Sequence, residues 1–432
     1  MKTQRHVTLS EFIEASQGEL AGRNHALADT DFYFFTMAQV YDALLPQVTM
    51  SKKFHNRTPG INLAKYSAEV STQVDLLCTR RLAASTLARL HQVPYMTKPF
   101  LEFMRLLQLN REFVTIEPNG DLLDVRTCGP ARFNTWFEVH VMSMVQEAYF
   151  RDVHGDLDMY EGMVRLEDKI KRFQELAKTY KFTFSEFGTR RRACHAWQHH
   201  VVGQFVKAFA DIPGCFLGTS NVQMAVEFGT PFSGTMAHEF LQIGQALDTT
   251  PLGGSDKHML DLWQQFYRAK TGIALTDVVG HKAFLRDFDM LLAQSYIGVR
   301  NDSGDPFEWA EESIRHYEKL RIDPKSKVLM FSNGLNTDMC ERLLKEFSTK
   351  AKVSFGIGTD FTNDLGVKAL QLVMKAVTVN GRPVAKISDE AGKGMCEDSR
   401  HEEAVRRAYM VGEHFSQEAH DAQMQKTYGL VA

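Results

Sequence analysis

The fold is decided by four short β-rich runs, each ending in a polar or glycine-bearing turn: GIALTD (272–277), YIGVRNDSGDP (296–306), VLMFSNG (328–334) and VSFGIGT (353–359). Helical patterns follow three of them, near 282–295, 306–320 and 336–348. Strands that alternate with helices pair in parallel through right-handed crossovers, so the pattern predicts an α/β fold. A closed barrel and an open doubly wound sheet share this pattern, and in both the chemistry belongs at the carboxyl ends of the strands.

The N-terminal part of the chain has a different character. Residues 1–150 contain long helical patterns and one hairpin, FVTIEPNGDLLDVRTCG (113–129), in which Asn119-Gly120 is predicted to take the positive-φ sites of a type I′ turn. A second hairpin, AVTVNGRPVAKISD (376–389), is predicted to turn at Asn380-Gly381. We therefore expect a mixed α+β domain over 1–150, an α/β domain over 151–400 and a helical segment over 401–432.

The composition excludes several classes of protein. Of 432 residues, 44% are hydrophobic and 24% are charged, as in soluble globular domains. The 50 basic and 53 acidic residues leave a net charge of -3 with no long block of one sign, which argues against nucleic acid as a partner. No window reaches the roughly 18 apolar residues of a membrane helix, so no membrane partner is expected. Six cysteines without a C-x-x-C pair indicate reduced thiols and a cytoplasmic location.

Charged side chains stand where two of the predicted strands end. Asp277 ends one run, and Arg300 and Asp302 end the next. A carboxylate at such a position can bind ribose hydroxyls or a metal, and an arginine beside it can bind phosphate in a bidentate manner. The same DSGDP segment is also a sound helix start, with Asp305 as the cap and Pro306 in the first turn. The pattern alone leaves both interpretations open.

Three further segments are candidates for binding anions. Glycine-bearing turns follow two late strands, at SNG (332–334) and GIGT (356–359), and glycine lets backbone N–H groups approach a phosphate. Their position resembles the phosphate site after the seventh and eighth strands of barrels, although neither matches a P-loop. The FGTRRR segment (187–192) places three guanidinium groups behind Phe187, which suits either an anion clamp with a stacking ring or a solvated basic helix start.

Histidines offer two candidate chemistries. His195 and His199 would share one face of a helix, but no carboxylate or cysteine partner lies nearby in the sequence, so no metal ligands are assigned. His238 follows the turn GTMA and precedes Glu239. A neutral imidazole can attack phosphorus and hold a phosphoryl group, whereas a lone histidine is more often structural.

Taken in order, nine segments resemble the nicotinate phosphoribosyltransferase family. They are TDFYFFTM (30–37), EFGTRRR (186–192), GTSNV (218–222), GTMAHE (234–239), GIALTD (272–277), RNDSGDP (300–306), FSNGLN (331–336), FGIGTDFTND (355–364) and PVAKISDEAGK (383–393). The resemblance implies an irregular α/β barrel with a mixed α+β N-terminal domain, and a homodimer with active sites at the subunit interface. It implies that nicotinate and 5-phosphoribosyl 1-pyrophosphate are converted to nicotinate mononucleotide and pyrophosphate, in NAD salvage. It also implies coupling to ATP hydrolysis through a phosphohistidine, with Mg²⁺ present.

The resemblance further implies a role for each motif residue. His238 would carry the phosphoryl group, and Asp277 would help to place metal or pyrophosphate. Arg300 and Asp302 would hold the ribose. Phe187 and Tyr33 would stack on the two faces of the pyridine ring, with Tyr33 coming from the neighbouring subunit. Thr189 and Arg190 would bind the pyrophosphate or the substrate carboxylate. The 5′-phosphate would be bound by Gly334, Gly358 and Thr359.

The turn GTSN (218–221) bears on the choice between two pyridine substrates. Nicotinamide phosphoribosyltransferases share much of this layout but carry an acidic residue after the Gly-Thr pair, where an acceptor can meet the amide. Ser220 and Asn221 can instead donate hydrogen bonds to a carboxylate, which favours nicotinate. The alternatives are a nicotinamide phosphoribosyltransferase and a non-catalytic metabolite-binding relative.

Overall fold

The computed structural model describes residues 6–17, 25–234, 236–268, 270–390 and 392–412. Its strands form two sheets. In chain order the strands are β1 (Thr49–Asn56), β2 (Val114–Asn119), β3 (Leu122–Pro130), β4 (Phe182–Glu186), β5 (Phe216–Thr219), β6 (Ile273–Leu275), β7 (Gly298–Asn301), β8 (Val328–Phe331), β9 (Lys352–Ile357), β10 (Leu372–Val379) and β11 (Arg382–Pro383).

Helices connect these strands, and no helix within the described ranges is both long and apolar enough to cross a membrane. The α-helices are α1 (Leu9–Gln17), α2 (Tyr33–Leu44), α3 (Ser67–Thr79), α4 (Ala84–Leu90), α5 (Lys98–Leu106), α6 (Ala131–Asn134), α7 (Phe137–Val153), α8 (Met159–Thr179), α9 (His195–Ala208), α10 (Val222–Glu227), α11 (His238–Gly244), α12 (Ser255–Tyr267), α13 (His281–Asp287), α14 (Met290–Ser295), α15 (Pro306–Lys319), α16 (Thr337–Phe347), α17 (Thr359–Thr362) and α18 (Ser399–Tyr409).

The larger sheet has six strands in the order β5-β4-β9-β8-β7-β6, and every pair in it is parallel. Its strands are short, and all four residues of β7 are buried, as expected for a parallel sheet covered on both faces. The predicted α/β class is confirmed. Within the described residues β5 and β6 are the two edges, so the sheet is not closed there. The parallel order brings the turns after β4, β7, β8 and β9 to one end of the sheet.

Two of the three predicted helices are confirmed, and the third is divided. The helix predicted over 306–320 is α15, which the Asp305 side chain caps by accepting hydrogen bonds from two backbone N–H groups. The helix predicted over 336–348 is α16, capped by Asn336. The pattern over 282–295 is two helices, α13 and α14. Asp289 interrupts them because its carboxylate caps α14, accepting a hydrogen bond of 3.0 Å from the Leu292 backbone.

The smaller sheet has the order β11-β10-β1-β3-β2 and is antiparallel throughout. It combines strands from both ends of the chain, because β10 pairs with β1 from Asn56↔Leu372 to Met50↔Val379. Residues 372–383 therefore share a sheet with the N-terminal strands, although the predicted division by chain order groups them with 151–400. Of the predicted helical segment 401–432, α18 covers the beginning, and residues 413–432 lie outside the described residues.

The two predicted hairpin turns have different outcomes. Asn380 and Gly381 have φ values of 50° and 72°, as a type I′ turn requires, and the prediction at this site is confirmed. The prediction for Asn119-Gly120 is wrong by one residue. Asn119 pairs with Leu122, so the two-residue loop consists of Gly120 and Asp121, and Gly120 alone has a positive φ there, at 59°. The register of the flanking strands, rather than the Asn-Gly pair, fixes this turn.

A buried ion network joins the segment before α2 to the parallel sheet. Arg192, which is fully buried, donates hydrogen bonds of 2.7 and 2.6 Å to the two carboxylate oxygens of Asp29. The same guanidinium donates at 2.7 Å to Glu147 on α7. Asp29 also accepts at 2.7 Å from Asn221, which caps α10. These contacts hold residues 29–33 against the carboxyl ends of β4 and β5.

Candidate functional site

A cavity opens at the carboxyl ends of the parallel strands, where the sequence predicted chemistry. The turns after β4, β7, β8 and β9 contribute to its walls, and β10 of the smaller sheet closes one side. Its lining residues include Asp31, Tyr33, Arg57, Phe187, Arg190, Arg191, Ser220, His238, Arg300, Asp302, Asn333, Gly334, Gly358, Thr359, Lys375, Lys386 and Lys393. The structure thus brings together residues that are more than 300 positions apart in the sequence.

Cations outnumber carboxylates in this lining. Seven basic side chains face the cavity, namely Arg57, Arg190, Arg191, Arg300, Lys375, Lys386 and Lys393, against the three carboxylates of Asp31, Asp302 and Asp360. These cations repel one another: burial and the Arg190 charge together lower the pKa of Arg191 to about 9. A cavity of this charge is suited to a polyanion.

Lys375 is a cation that the sequence analysis missed. It lies on β10 and lines the cavity, and its side chain forms no hydrogen bond or ion pair with any other residue that the structure describes. Burial and the neighbouring Lys386 lower its pKa to about 7. Arg57 was missed as well. Neither residue belongs to a motif, and the only sequence signal was a basic residue in or directly after a β-rich run.

The two glycine-bearing turns that the sequence analysis predicted to bind phosphate both line the cavity. Gly334 has a φ of 56°, a conformation that favours glycine, in the turn after β8. Gly356 and Gly358 allow close packing of the β9 end against Phe187: a Cβ on Gly356 would lie 2.5 Å from the Phe187 ring. Because neither glycine has a side chain, Phe187 can pack directly against this turn.

His238 and Asp277 form a buried pair at the base of the cavity. His238 Nε2 lies 2.9 Å from Asp277 Oδ1 and 3.5 Å from Asp302 Oδ2. Burial, aided by Lys375 and Lys386, lowers the pKa of His238 to about 4 against the opposing influence of Asp277. The imidazole is therefore neutral near neutral pH, and its Nε2–H donates to Asp277.

Asp277 follows β6 beside His238 and Asp302, as predicted, but it lies behind the cavity lining. It is almost fully buried and does not belong to the cavity lining. Its second oxygen accepts hydrogen bonds of 2.8 Å each from Ser303 and Lys386. Burial acts to raise the pKa of Asp277, but Lys386 and His238 outweigh it and hold the pKa well below its usual value. Asp277 thus orients His238 and Lys386 rather than facing a ligand.

Two predicted substrate-binding residues lie behind the cavity wall. Thr189 and Asn221 are fully buried and do not contribute to the lining. The Thr189 hydroxyl accepts a hydrogen bond of 2.9 Å from Gln198, and the Asn221 amide donates to Asp29 while its oxygen caps α10. Their polar atoms are committed to holding the turns after β4 and β5, so we correct the predicted role of both from binding to support.

Tyr33 also differs from its prediction. The resemblance implies that it reaches the site of a neighbouring subunit, whereas the structure places it in the cavity of its own chain, together with Phe187. The Phe32 backbone N–H donates at 2.8 Å to the Ser220 carbonyl, which ties this segment to the turn after β5. Ser220 itself lines the cavity, and its hydroxyl lies 2.6 Å from Asp31 Oδ1.

A metal site on the other histidines is not supported. His199 Nε2 pairs with Glu227 at 3.2 Å, whereas the ring nitrogens of the buried His195 have no hydrogen-bond partner in the described part of the chain. Among the described residues, the group whose ligand atoms could hold a metal ion is His238, Asp277 and Asp302. These atoms lie within 4.8 Å of one another.

Two protein-family models match most of the chain. The family model of the nicotinate phosphoribosyltransferase (NAPRTase) family matches residues 182–413, and that of the NAPRTase N-terminal domain matches residues 28–146. The chain is 43% identical to nicotinate phosphoribosyltransferase of Chromobacterium violaceum over 393 residues, which cover 89% of this chain and 97% of the relative. It is 41% identical to nicotinate phosphoribosyltransferase of Acinetobacter baylyi over 401 residues, covering 90% and 97%.

Solved structures agree with these relatives. The crystal structure of nicotinate phosphoribosyltransferase from Vibrio cholerae superposes with a TM-score of 0.84 at 31% identity, covering 93% of this chain and 96% of that one. That from Porphyromonas gingivalis superposes with a TM-score of 0.83 at 27% identity, covering 89% and 99%. With both matched domains in the expected order and the cavity at the carboxyl ends of its parallel strands, the chain belongs to the nicotinate phosphoribosyltransferase family of enzymes.

Proposed function

We propose that this chain joins nicotinate to 5-phosphoribosyl 1-pyrophosphate, giving nicotinate mononucleotide and pyrophosphate, in keeping with the name that its relatives carry. The observation that carries the proposal is one cavity that combines two aromatic rings, Tyr33 and Phe187, with a cationic lining and the carboxylate of Asp302. A planar acid, a sugar and phosphates require these three surfaces. NAD salvage is the corresponding role.

The residues suit the bond that is broken. Cleavage of the ribose–pyrophosphate bond leaves oxocarbenium character on the sugar, which a nearby carboxylate stabilises. Burial opposes the charge of Asp302, but Arg300 and the neighbouring His238 outweigh it, so the pKa of Asp302 lies below its usual value and the group stays ionised. The attacking nitrogen of the pyridine ring already has a lone pair. The site therefore requires orientation by the aromatic rings rather than a general base.

The two phosphate groups of the sugar substrate require separate anion sites. We place the 5′-phosphate at Gly334, Gly358 and Thr359, where backbone N–H groups can approach it. The pyrophosphate then lies towards Arg190 and Lys375, on the same side of the cavity as His238. Because Lys375 forms no ion pair within the described residues, an anion there would replace no existing partner.

ATP hydrolysis is coupled to the reaction through His238 in this proposal. Its Nε2–H is committed to Asp277, which leaves the lone pair of Nδ1 for attack on a phosphoryl group. A phosphoryl group on His238 would add about -1.5 to -2 charges beside Lys375 and Lys386, if it resembles other phosphoryl modifications. These lysines would then be drawn towards His238, which changes the end of the cavity that holds pyrophosphate.

The cavity fits Mg²⁺ in the mode that this ion prefers, with one or two carboxylates and substrate phosphates as ligands. Both oxygens of Asp277 are engaged by His238, Ser303 and Lys386 behind the cavity lining. Asp302 lines the cavity, where its Oδ1 accepts a hydrogen bond of 3.0 Å from Ser332 and its Oδ2 lies 3.4 Å from Arg300. Asp302 together with substrate phosphates would therefore hold the ion. When bound, it supplies positive charge to the leaving pyrophosphate.

Two wider expectations accompany this function. All six cysteines are free thiols, which supports a cytoplasmic location. A homodimer stays a prediction from the resemblance, and Tyr33 and Phe187 line one cavity of this chain together.

Pyrophosphate release tests the proposed function. We expect release that requires both nicotinate and 5-phosphoribosyl 1-pyrophosphate and is stimulated by ATP. His238→Ala should lose the stimulation by ATP, whereas the matched control His91→Ala, at an exposed position outside the cavity, should keep it. A non-catalytic relative would release no pyrophosphate, and unchanged ATP stimulation in His238→Ala would contradict the role of that residue.

A further inference from the structure

A hydroxyl–carboxyl pair lies in the wall of the cavity, next to the two aromatic rings. Ser220 Oγ is 2.6 Å from Asp31 Oδ1, and both residues line the cavity with Tyr33 and Phe187. Only 5% of the Asp31 surface and 2% of the Ser220 surface are exposed. A serine hydroxyl has one hydrogen, so the ionisation state of Asp31 decides whether that hydrogen points to Asp31 or into the cavity.

The two states present opposite faces to a ligand. An ionised Asp31 can only accept, so Ser220 donates to it and turns its oxygen lone pairs to the cavity, where they suit the N–H groups of a carboxamide. A protonated Asp31 donates to Ser220 Oγ instead, and the Ser220 hydrogen is free to bind a carboxylate. The sequence argument treated Ser220 as a donor on its own, and the structure makes that property conditional on its partner.

The surroundings of Asp31 combine opposing influences. Burial is the largest and raises its pKa above the usual value, and the Glu138 carboxylate acts in the same direction. The hydrogen bond with Ser220 is the largest influence that opposes this rise, followed by the Arg190 guanidinium and hydrogen bonding with Tyr33. Glu186, buried under the same turn, also interacts with Asp31. Burial and this interaction raise the pKa of Glu186 itself to about 7, so it carries its full negative charge only above that pH. A ligand carboxylate in the cavity adds another negative charge and favours the protonated form further.

We propose that Asp31 takes up a proton when nicotinate binds, and that the Asp31–Ser220 pair thereby selects a pyridine carboxylate over a pyridine carboxamide. The proton comes from solvent and ends on a carboxylate oxygen of Asp31. Ser220 keeps its own hydrogen, which only changes direction, and no bond of the substrate is altered. The inference rests on the proposed function, because it concerns the same pyridine substrate.

The pH dependence of substrate affinity tests this proposal. Above the pKa of Asp31 the nicotinate KM of the wild-type enzyme should rise about tenfold per pH unit, while the inhibition constant of nicotinamide should not rise. Asp31→Asn should lose this slope, because an amide can donate to Ser220 at every pH. The matched control Asp248→Asn changes a side chain that is 90% exposed and paired with Arg382, and it should keep the wild-type slope. Coinciding profiles of wild type and Asp31→Asn would overturn the proposal.

Calorimetry on the unmodified enzyme gives an independent result if Asp31→Asn does not fold. Nicotinate is titrated in two buffers with different ionisation enthalpies, and the difference in heat gives the number of protons taken up. We expect uptake approaching one proton per site within the range of pH above the pKa of Asp31 in the free enzyme. This uptake should persist in Lys375→Met and in Glu186→Gln, because both groups have pKa values of about 7 and could take up a proton themselves. Binding without any uptake over that range refutes the proposal. Failure of the enzyme to use nicotinate at all would instead overturn the proposed function, so the two failures are distinguishable.

Discussion

Replacing Arg192 by methionine removes the cation at the centre of the network that joins the N-terminal segment to the parallel sheet. Arg192 has no exposed surface, and it donates to both oxygens of Asp29 and to Glu147. Methionine keeps most of the volume but leaves the buried carboxylate of Asp29 without its cation, and it removes the hydrogen bond of 2.7 Å that Glu147 accepts. Asp29 retains hydrogen bonds of 2.7 Å from Asn221 and 2.9 Å from the His25 backbone, so its charge is only partly satisfied.

Breaking one side of a buried ion pair costs about 3 to 5 kcal/mol, because the remaining charge stays in a low-dielectric environment. We therefore expect Arg192→Met to lower the free energy of unfolding by that amount. With a urea slope of about 3 kcal/mol per molar, the midpoint of unfolding would fall by about 1 to 1.7 M. Urea titrations followed by tryptophan fluorescence measure this shift, since Trp197 lies on α9, which follows Arg192 in the chain.

Two comparisons decide whether the cause is the buried charge. Arg407→Met removes a guanidinium that is 69% exposed and paired with Glu403, and it should change stability by less than about 0.5 kcal/mol. Adding Asp29→Asn to Arg192→Met should recover part of the loss, because it removes the carboxylate charge that Arg192 compensated. A loss below about 1 kcal/mol in Arg192→Met, or no recovery in the double variant, would refute the reasoning.

Three further outcomes are expected. Lys375→Met should raise the pyrophosphate inhibition constant by about tenfold or more, since a hydrogen bond to a charged group is lost, whereas the exposed control Lys178→Met should leave it unchanged. His140 is fully buried, and its pKa is lowered to about 3 in the folded chain. The unfolded chain therefore binds more protons than the folded chain below about pH 6.5. The free energy of unfolding should consequently fall by roughly 1 kcal/mol per pH unit as the pH decreases from there towards 3. Urea titrations at several pH values should show a shallower loss in His140→Gln, and equal slopes would contradict the sign. Gly356→Ala places a Cβ against the Phe187 ring and should raise the nicotinate KM severalfold, while a change confined to the KM of the ribose donor would contradict this assignment.

Local sequence patterns predicted the strand-end turns that form the site, because each turn involves only residues that are close together in the sequence. The alternation of strands and helices from 272 to 359 places Arg300, Asp302 and Gly358 at one end of a parallel sheet, whatever the details of packing. The cap at Asp305 was likewise predicted, since the backbone N–H groups that it binds lie only two and three positions further along the chain. Once the strands are predicted to pair in parallel, the turns that follow them are expected to lie together at one end of the sheet.

Side-chain direction at the same turns could not be predicted in this way. Thr189 and Asn221 stand in motifs beside residues that line the cavity, yet their polar atoms are committed to Gln198 and Asp29. Whether a side chain faces a cavity or the wall behind it depends on partners that are distant in the sequence. Asp29 lies 192 positions from Asn221, and this separation is invisible to a motif.

Lys375 illustrates the same limit for long-range pairing. Its place in the cavity depends on β10 lying beside β1, where Lys375 is opposite Lys53. An antiparallel pair between strands so far apart in the chain has no local signature. The sequence analysis accordingly found the hairpin turn at Asn380-Gly381 but not the neighbour against which the hairpin lies.

The pairing of β1 with β10 has a consequence for biosynthesis. Until residue 379 has been synthesised, β1 keeps one edge without its partner, and the cavity lacks the wall that carries Lys375. An emerging polypeptide thus exposes a ready template for pairing with another strand for most of its translation. A chain that ends before Leu372 would be prone to associate with other copies through that edge, and chaperone protection of the growing chain would matter most before its last sixty residues appear.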